Sequence, residues 1–302
     1  EMTIDQYIQK EVESDKSDKG LYPMEDYDGI SYYYRGSVND NYLLFGGHYW
    51  RIIRINGDGS IRLLYAGDKP NASGNELSAT LTDGSLGYEN KKYIQFNTKR
   101  YNPAYVGYMY GNTLNSSYKE TTANENDSEI KKYLDSWYRQ NIEEKGLSNY
   151  IADSGFCNDR GLVSGDGFSI NNDSYYSPNG RLKDPTLICE NVNDLFTTSM
   201  SSKGNKALTY PIGLITIDEA FISGQVDGSM NSLSFTSAGL DYWSMSSSHY
   251  LTRAGSGIFR IRNVTGGQAS NNEYGVRPVI NLKADTEIAS GIGTANEPFV
   301  VK

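Results

Sequence analysis

The chain has 302 residues and a net charge of −9. An acidic chain with scattered charges argues against nucleic acid as a partner, because nucleic acid requires a basic surface. No apolar run approaches the roughly 18 residues of a membrane-spanning helix, so we expect no direct membrane insertion by this segment. The chain opens with Glu1-Met2 and shows no signal peptide, so we expect that any leader or anchor has been removed from it.

The residue composition favours an aromatic core and an adaptable surface. Hydrophobic residues make up 37% of the chain, yet aromatic residues reach 12% and include 25 tyrosines. Tyrosine carries a large apolar area with a polar tip, so it serves both in a core and at a contact surface. Abundant Tyr, Ser, Asn and Gly is typical of recognition surfaces. A β-protein with many polar loops would show the same composition.

The first 19 residues predict a short helix and a linker. Thr3-Ile4-Asp5-Gln6 has the pattern of a capping box, and apolar residues follow at helical spacing as far as Val12. Residues 13–19 are charged and without periodicity. We therefore divide the chain into an N-terminal helix and linker, residues 1–19, and a single elaborated domain, residues 20–302.

Strands are predicted early and late in the chain. Alternating or continuous apolar patterns occur over residues 42–45, 48–55 and 60–65, and Asn56-Gly57-Asp58-Gly59 supplies hairpin turn chemistry between the last two. Residues 274–283 and 298–302 read as two late strands. From residue 66 to residue 124 we expect long loops with short strands, such as residues 101–110.

Two helices are predicted between these strands. Residues 126–145 carry one apolar stripe, with Asn126 as the expected N-cap and Gly146 as the expected end of the helix. Thr216-Ile217-Asp218-Glu219 forms a capping box and announces a second helix that runs to Gly224.

The two cysteines, Cys157 and Cys189, predict a disulfide. Neither lies in a CxxC pair, so a structural zinc site is not favoured. The stretch between them is polar and rich in Gly, Ser and Asn, and a cross-link would restrain it. A bridge would place the domain in an oxidising compartment. Two unpaired buried thiols are the alternative.

An ordered set of motifs resembles a protein family. The set includes Tyr49-Trp50-Arg51-Ile52-Ile53, Phe156-Cys157-Asn158-Asp159-Arg160, Tyr242-Trp243-Ser244-Met245-Ser246 and Gly275-Val276-Arg277-Pro278-Val279-Ile280-Asn281-Leu282. With it the chain resembles uncharacterised surface or secreted proteins of Gram-positive gut bacteria, over roughly residues 32–302. The resemblance implies an α+β, C-type-lectin-like fold of the formylglycine-generating-enzyme type, with a mixed or antiparallel sheet, two flanking helices and long loops. It also implies an extracellular or cell-surface location.

Calcium is the one cofactor that the sequence suggests, and the simpler expectation is no cofactor. The run after Cys189 contains hard oxygen ligands of the kind that calcium prefers, namely Glu190, Asn191, Asn193 and Asp194. The same residues are also typical of a polar turn. A second, weaker cluster lies between Asp166 and Asp173.

A ligand-binding surface is predicted in the C-terminal loops. Aromatic faces pack against rings, whereas amides and guanidinium groups bind hydroxyls and carboxylates. The residues of this kind in the region are Tyr250, Arg253, Arg260, Arg262, Asn271, Asn272 and Tyr274. Trp243 and Met245 alternate in a predicted strand, so we expect them in the core. The leading hypothesis is an adhesin-like module that binds a glycan or a protein at the cell exterior.

Of four further hypotheses, the sequence weakens two and leaves two open. No G-x-S-x-G elbow is present, and no cysteine follows position 189, where formylglycine-generating chemistry would need one. A hydrolase with two carboxylates as acid and base remains the alternative, and a structural surface or pilus-like component is the third. Perturbed carboxylates in a deep cleft would favour the hydrolase, a flat aromatic patch would favour binding, and a long exposed sheet edge would favour assembly.

Overall fold

The chain adopts a mixed α+β fold that is mostly sheet. The computed structural model describes residues 20–69, 93–114, 116–225, 234–238, 241–261 and 267–302. The predicted N-terminal helix and Arg262 lie outside these ranges. Within them there are four short α-helices, which are α1 (Tyr118–Thr121), α2 (Glu129–Tyr138), α3 (Ser177–Gly180) and α4 (Ile217–Ile222).

The larger sheet has eight strands and joins the early part of the chain to its end. All neighbouring strands are antiparallel except β19 and β3, which pair in parallel. The order is β1-β2-β4-β3-β19-β18, and β17 pairs with β5, which pairs with β4. The strands are β1 (Gly20–Asp26), β2 (Gly29–Arg35), β3 (Tyr42–Phe45), β4 (His48–Ile55), β5 (Ile61–Gly67), β17 (Val279–Leu282), β18 (Ile288–Ser290) and β19 (Phe299–Val301).

The second sheet has seven strands and is built around the long strand β13. Its main order is β10-β11-β13-β14-β15, and β16 adds to β13 in parallel and to β6 in antiparallel fashion. Its strands are β6 (Tyr93–Gln95), β10 (Leu162–Ser164), β11 (Ser174–Tyr176), β13 (Tyr242–Leu251), β14 (Gly255–Ile261), β15 (Gly267–Ala269) and β16 (Glu273–Gly275). Two small ribbons pair β7 (Met109–Tyr110) with β8 (Asn126–Asp127), and β9 (Phe156–Cys157) with β12 (Leu195–Phe196).

The predicted hairpin between β4 and β5 is confirmed. Its turn closes through hydrogen bonds from Asn56 N to Ser60 O and from Gly59 N to Asn56 O, each 2.8 Å long. Gly59 has φ +81°, a conformation that glycine adopts without steric cost. The Asp58 carboxylate accepts from the Ser60 amide at 2.8 Å and so stabilises the turn. Asn56 and Asp58 therefore act as turn residues.

The core is aromatic, as the composition predicts. Trp50 of β4, Tyr65 of β5 and Trp137 of α2 are buried and meet edge to face, with ring centroids 5.7–5.8 Å apart. Such edge-to-face pairs add to the free energy gained by burying the rings. Trp243 and Met245 of β13 are also fully buried, as expected. Packing between the sheets and α2 thus fixes the frame on which the polar site lies.

Both main predicted helices form, and one of their caps was assigned to the wrong residue. The α4 capping box is present, with the Glu219 amide donating to the Thr216 hydroxyl and the Thr216 amide donating to the Glu219 carboxylate. For α2, however, Ser128 is the N-cap, because Asn126 lies in β8 and its side-chain amide donates to the carbonyls of Tyr110 and Gly111. A π-helical turn, Arg139–Glu143, extends α2 toward Gly146.

Residues 101–110 were expected to form a strand, and most of them do not. Pro103–Val106 is a 3₁₀ helix, because the Asn102 side chain caps the Ala104 amide and Pro103 fits the first helical position. Only Met109–Tyr110 is extended. No helix in the described ranges is long and apolar enough to cross a membrane.

Candidate binding cavity

A polar cavity lies between the β4–β5 hairpin, the disulfide and the start of α4. Its volume is 330 Å³, at the lower end of the range typical of small-molecule pockets. Four cations and seven carboxylates line it. The cations are Arg54, Arg62, Arg181 and Lys203, and the carboxylates are Asp26, Asp28, Asp58, Asp153, Asp159, Asp218 and Glu219.

The floor of the cavity is an ion-pair network centred on Glu219. Glu219 Oε1 lies 3.1 Å from Arg54 Nε and 2.6 Å from Arg62 Nε, and Arg54 Nη1 reaches Asp26 Oδ2 at 2.8 Å. All four side chains are buried. A buried charge is stable only when it is paired and hydrogen-bonded. The buried arginines of β4 and β5 therefore hold Glu219 and Asp26 in place.

Burial and pairing act in opposite directions on the ionisation of these groups. Burial raises the pKa of Glu219, but Arg62, Arg54 and the Thr216 amide outweigh it and leave that pKa below its usual value. Burial lowers the pKa of Arg62 to about 10, against the opposing effect of Glu219. Both groups are therefore charged at neutral pH, and the floor is a fixed array of charges.

One wall of the cavity is a second ion-pair cluster. Arg181 Nε donates to Asp218 Oδ1 at 2.9 Å, and Arg181 Nη2 pairs with Asp159 Oδ2. The Thr186 amide also donates to Asp218 Oδ1, at 3.0 Å. Asp218 thus holds two points of a segment that has neither helix nor strand between Arg181 and Asn191.

Asp159 is presented to the cavity by its buried neighbours. The Asn158 side chain donates to Met245 O at 2.8 Å, and Arg160 is paired with the buried Asp194. Between these anchors Asp159 has φ +52°, a left-handed conformation that aspartate tolerates better than most residues. The strain at this residue is outweighed by the contacts on either side of it.

The Asp159 carboxyl has a perturbed pKa. Burial raises this pKa to about 6; Arg181 opposes the rise, and Asp218 and Asp194 add to it. Among the described residues, Arg181 donates to Asp159 Oδ2, and no hydrogen bond to Oδ1 is seen. A carboxyl of this kind in a cavity is a candidate functional group.

The predicted disulfide is present and contributes to the cavity wall. Cys157 and Cys189 are bonded, with Cα atoms 5.7 Å apart, and both line the cavity. Cys157 lies in β9. Cys189 lies near the C-terminal end of the irregular segment, and Arg181, which pairs with Asp218, lies at its start. The segment is therefore fixed at both ends, by an ion pair and by a covalent bond.

Apolar side chains surround the charged floor at the rim. Tyr27, Ile188 and Met200 line the cavity and are 37%, 39% and 89% exposed. Burial raises the pKa of Tyr27 to about 12, against a backbone hydrogen bond at Cys189. The hydroxyl therefore remains protonated at physiological pH, and it lies at the backbone of Cys189.

Three of the four predicted calcium ligands, Asn191, Asn193 and Asp194, make hydrogen bonds within the protein. The Asp194 carboxylate is fully buried, and both of its oxygens accept from Arg160. Asn191 Oδ1 caps the Asn193 amide, and the Asn193 amide group donates to Thr122 O. Glu190 is exposed. The structure adds no support for the calcium hypothesis at this run, because the side-chain oxygens of Asn191 and Asp194 accept hydrogen bonds within the protein. In the described part of the chain, no group of three or more His, Cys, Asp or Glu side chains could hold a metal ion.

The predicted C-terminal surface is divided into two groups. Tyr274 packs on Trp243 with ring centroids 4.8 Å apart, and Arg260 lies over the Tyr274 ring. Tyr250 lies seven residues farther along β13, roughly 23 Å away at ~3.3 Å per residue. Asn271 and Asn272 lie in the turn near Tyr274, whereas Arg253 is exposed in the turn near Tyr250.

Several of these side chains are engaged within the protein. Tyr250 is only 2% exposed, and its hydroxyl donates to Ile170 O at 3.0 Å, so its ring cannot act as a surface platform. Arg260 pairs with Asp241, and the Tyr274 hydroxyl donates to Gln268 Oε1. Arg253 is exposed, whereas Asn271 is half-buried and its amide oxygen is buried without a partner among the described residues.

The residues of the cavity were not identified as a site from the sequence. A usable signal was present: Arg54 and Arg62 interleave with isoleucines in strands that read as buried, so each requires a buried carboxylate partner. The capping-box residue Glu219 is that partner, and pairing across 157 or more positions is not readable from one sequence.

Comparison with known proteins adds no relative. No family model, curated protein or solved structure matches the chain.

Proposed function

We propose that this chain is an extracytoplasmic ligand-binding module, of C-type-lectin-like type, that takes a sugar ring of a glycan into the polar cavity. The observation that carries the proposal is the combination of a charged, preorganised floor with apolar rim residues in one partly open cavity. Fixed carboxylate and guanidinium groups offer acceptors and donors to vicinal hydroxyls. The rim residues Tyr27, Ile188 and Met200 would pack on the apolar face of the ring.

The disulfide supports an exterior location for this module. Structural disulfides persist in oxidising compartments, and this bond holds part of the binding wall. In the proposal, the adhesin-like role predicted for the C-terminal loops moves to the cavity. Glycan recognition is preferred to a flat protein contact because the site is concave and lined by polar groups.

The test is binding of the purified chain to a glycan and mucin array, with calcium and then with chelator. Asp159→Ala should abolish the signal, whereas Asp184→Ala, an exposed carboxylate on the same segment outside the cavity lining, should leave it unchanged. Loss of binding in chelator would show that an ion takes part. Array signals that are the same for both variants would contradict the cavity as the site.

A carboxylate-dependent hydrolase is the second candidate, and one observation favours it. Asp159, with its pKa near 6 inside a cavity, could donate a proton to a glycosidic oxygen. Its neighbour Asp218 is fixed by Arg181 and Thr186, and would act by charge rather than as a nucleophile. The wild-type chain should then release reducing ends from a glycan that it binds on the array. Loss of that release in Asp159→Asn would establish this activity.

A structural role in assembly is less well supported. Among the described strands, those that end the main paths of the two larger sheets are β1, β18, β10 and β15. Three of them have only three residues, and β1 carries Pro23, which lacks the amide needed to pair with a neighbouring chain.

A further inference from the structure

A second pocket, separate from the polar cavity, is positively charged, whereas carboxylates outnumber cations in the polar cavity. It is a surface pocket of 400 Å³, formed by the loop Thr98–Asn102 together with Tyr105, Thr113 and Asn271. Lys99 and Arg100 line it, and among the described residues no Asp or Glu does. In a chain with a net charge of −9, this is a local concentration of positive charge without acidic neighbours in the lining.

Arg100 keeps hydrogen-bonding capacity in this pocket. Its guanidinium lies over the Tyr101 ring, 4.8 Å from the centroid, and Nη2 donates to the Tyr101 hydroxyl at 2.7 Å. Arg100 Nε is buried and has no hydrogen-bond partner among the described residues. The residue as a whole is only half-buried, so a carboxylate would meet the accessible edge of the guanidinium rather than the buried Nε.

The loop that carries the two cations is held in place. Ser256 N donates to Arg100 O at 2.7 Å, and Ser270 Oγ donates to Lys99 O at 3.0 Å. No ion pair joins either cation to a carboxylate within the described ranges. The backbone is thus fixed to its neighbours while the Lys99 ammonium remains exposed. A fixed loop lowers the entropic cost of binding.

Two further lining residues suit a sugar ring. Tyr101 is 59% exposed, and its ring offers an apolar face beside the cations. The Asn271 amide oxygen is buried and has no partner among the described residues, although the backbone carbonyl of Asn271 accepts from Gln95 Nε2. The amide can therefore turn toward a ligand hydroxyl without breaking a hydrogen bond.

We propose that this pocket binds the carboxylate of an acidic saccharide, a uronic acid, with Arg100 and Lys99 on the carboxylate, Tyr101 against the ring and Asn271 on a hydroxyl. The site is independent of the polar cavity, since the two share no lining residue. A carboxylate ligand matches the positive lining, whereas the ring and the amide favour a saccharide over an acidic peptide.

The experiment compares galacturonate with galactose, which differ at the carboxylate, by protein-detected NMR titration of the whole chain. We expect galacturonate to bind at least tenfold more tightly than galactose at low ionic strength, and salt to weaken its binding. Arg100→Gln should reduce the affinity at least fivefold. Lys183→Gln, an exposed lysine outside both pockets with the same change of charge, should not alter it.

The outcomes separate this site from the first. Unchanged galacturonate binding in Asp159→Ala is expected, because Asp159 belongs to the other cavity. Equal affinity for the two sugars, or equal losses in Arg100→Gln and Lys183→Gln, would overturn the proposal. Tight binding of an oligoglutamate peptide that galacturonate does not displace would overturn the assignment of the ligand as a saccharide.

Discussion

The polar cavity and the predicted C-terminal surface both contain arginine, asparagine and tyrosine, but the arginines and tyrosines are used differently in the two regions. In the cavity, charges from distant parts of the chain, such as Asp26, Arg181 and Glu219, converge on one space. On the C-terminal surface, Arg260 pairs with Asp241 and Tyr250 is buried. Composition indicates which chemistry a region could perform. The tertiary partners of each residue decide whether that chemistry is available to a ligand.

The largest loss of stability should follow the removal of Glu219 from the cavity floor. Glu219→Ala leaves Arg54 and Arg62 buried without their shared carboxylate and removes half of the α4 capping box. We expect the free energy of unfolding in urea to fall by about 3–5 kcal/mol. Glu287→Ala is the matched control, because its pair with Lys302 is solvent-exposed, and should cost about 1 kcal/mol or less. Equal losses would mean that the floor is not a stabilising network.

The disulfide tests whether the cavity wall depends on its covalent anchor. Cys157→Ala frees a loop closed across 32 positions, and loop-closure entropy predicts a loss of about 3–4 kcal/mol. The melting temperature should fall under oxidising conditions, and the variant should melt with the wild type in reductant. The same loss in both conditions would instead assign the effect to packing around residue 157.

The sequence predicted the frame of the fold better than the site. The β4–β5 hairpin, the α4 capping box and the buried Trp243 follow from local patterns, because a turn, a cap or an alternating strand is specified by adjacent residues. The disulfide could be inferred because only two cysteines exist. The Arg54–Glu219 pair spans 165 positions, and no local periodicity encodes such a contact.

Helix α2 shows the same limit at short range. Asn126 and Ser128 both have side chains that can cap a helix, and the spacing to Glu129 favoured Asn126. The choice was made by β8, which pairs Asn126 with Tyr110 and leaves Ser128 at the start of the helix. A tertiary contact thus decided between two local solutions of similar energy.

The raised pKa of Asp159 predicts that the stability of the protein depends on pH. Its pKa is near 6 in the folded protein, raised by burial from about 3.9 in the unfolded chain. The folded state therefore binds the proton more tightly, so the contribution of this group to stability is largest below pH 4 and is lost as pH rises to 6. Above pH 6 the lost contribution amounts to at most about 3 kcal/mol. Urea unfolding of wild type and Asp159→Asn at pH 4, 5, 6 and 7 should show the variant gaining relative stability across this window. A difference that stays constant with pH would contradict the raised pKa.

The smallest effect is expected on the C-terminal surface, at Arg260. Its ion pair with Asp241 is partly exposed, with side-chain exposures of 19% and 21%, and its guanidinium also lies over Tyr274. Because solvent screens such a pair, Arg260→Gln should lower the free energy of unfolding by about 1 kcal/mol or less. It should also leave the glycan-array signal unchanged, since Arg260 lines neither the cavity nor the second pocket. If array binding were instead lost while the variant stayed folded, the ligand would contact β14 and Tyr274. The polar cavity would then be a structural ion-pair network, and the C-terminal surface would be the binding surface.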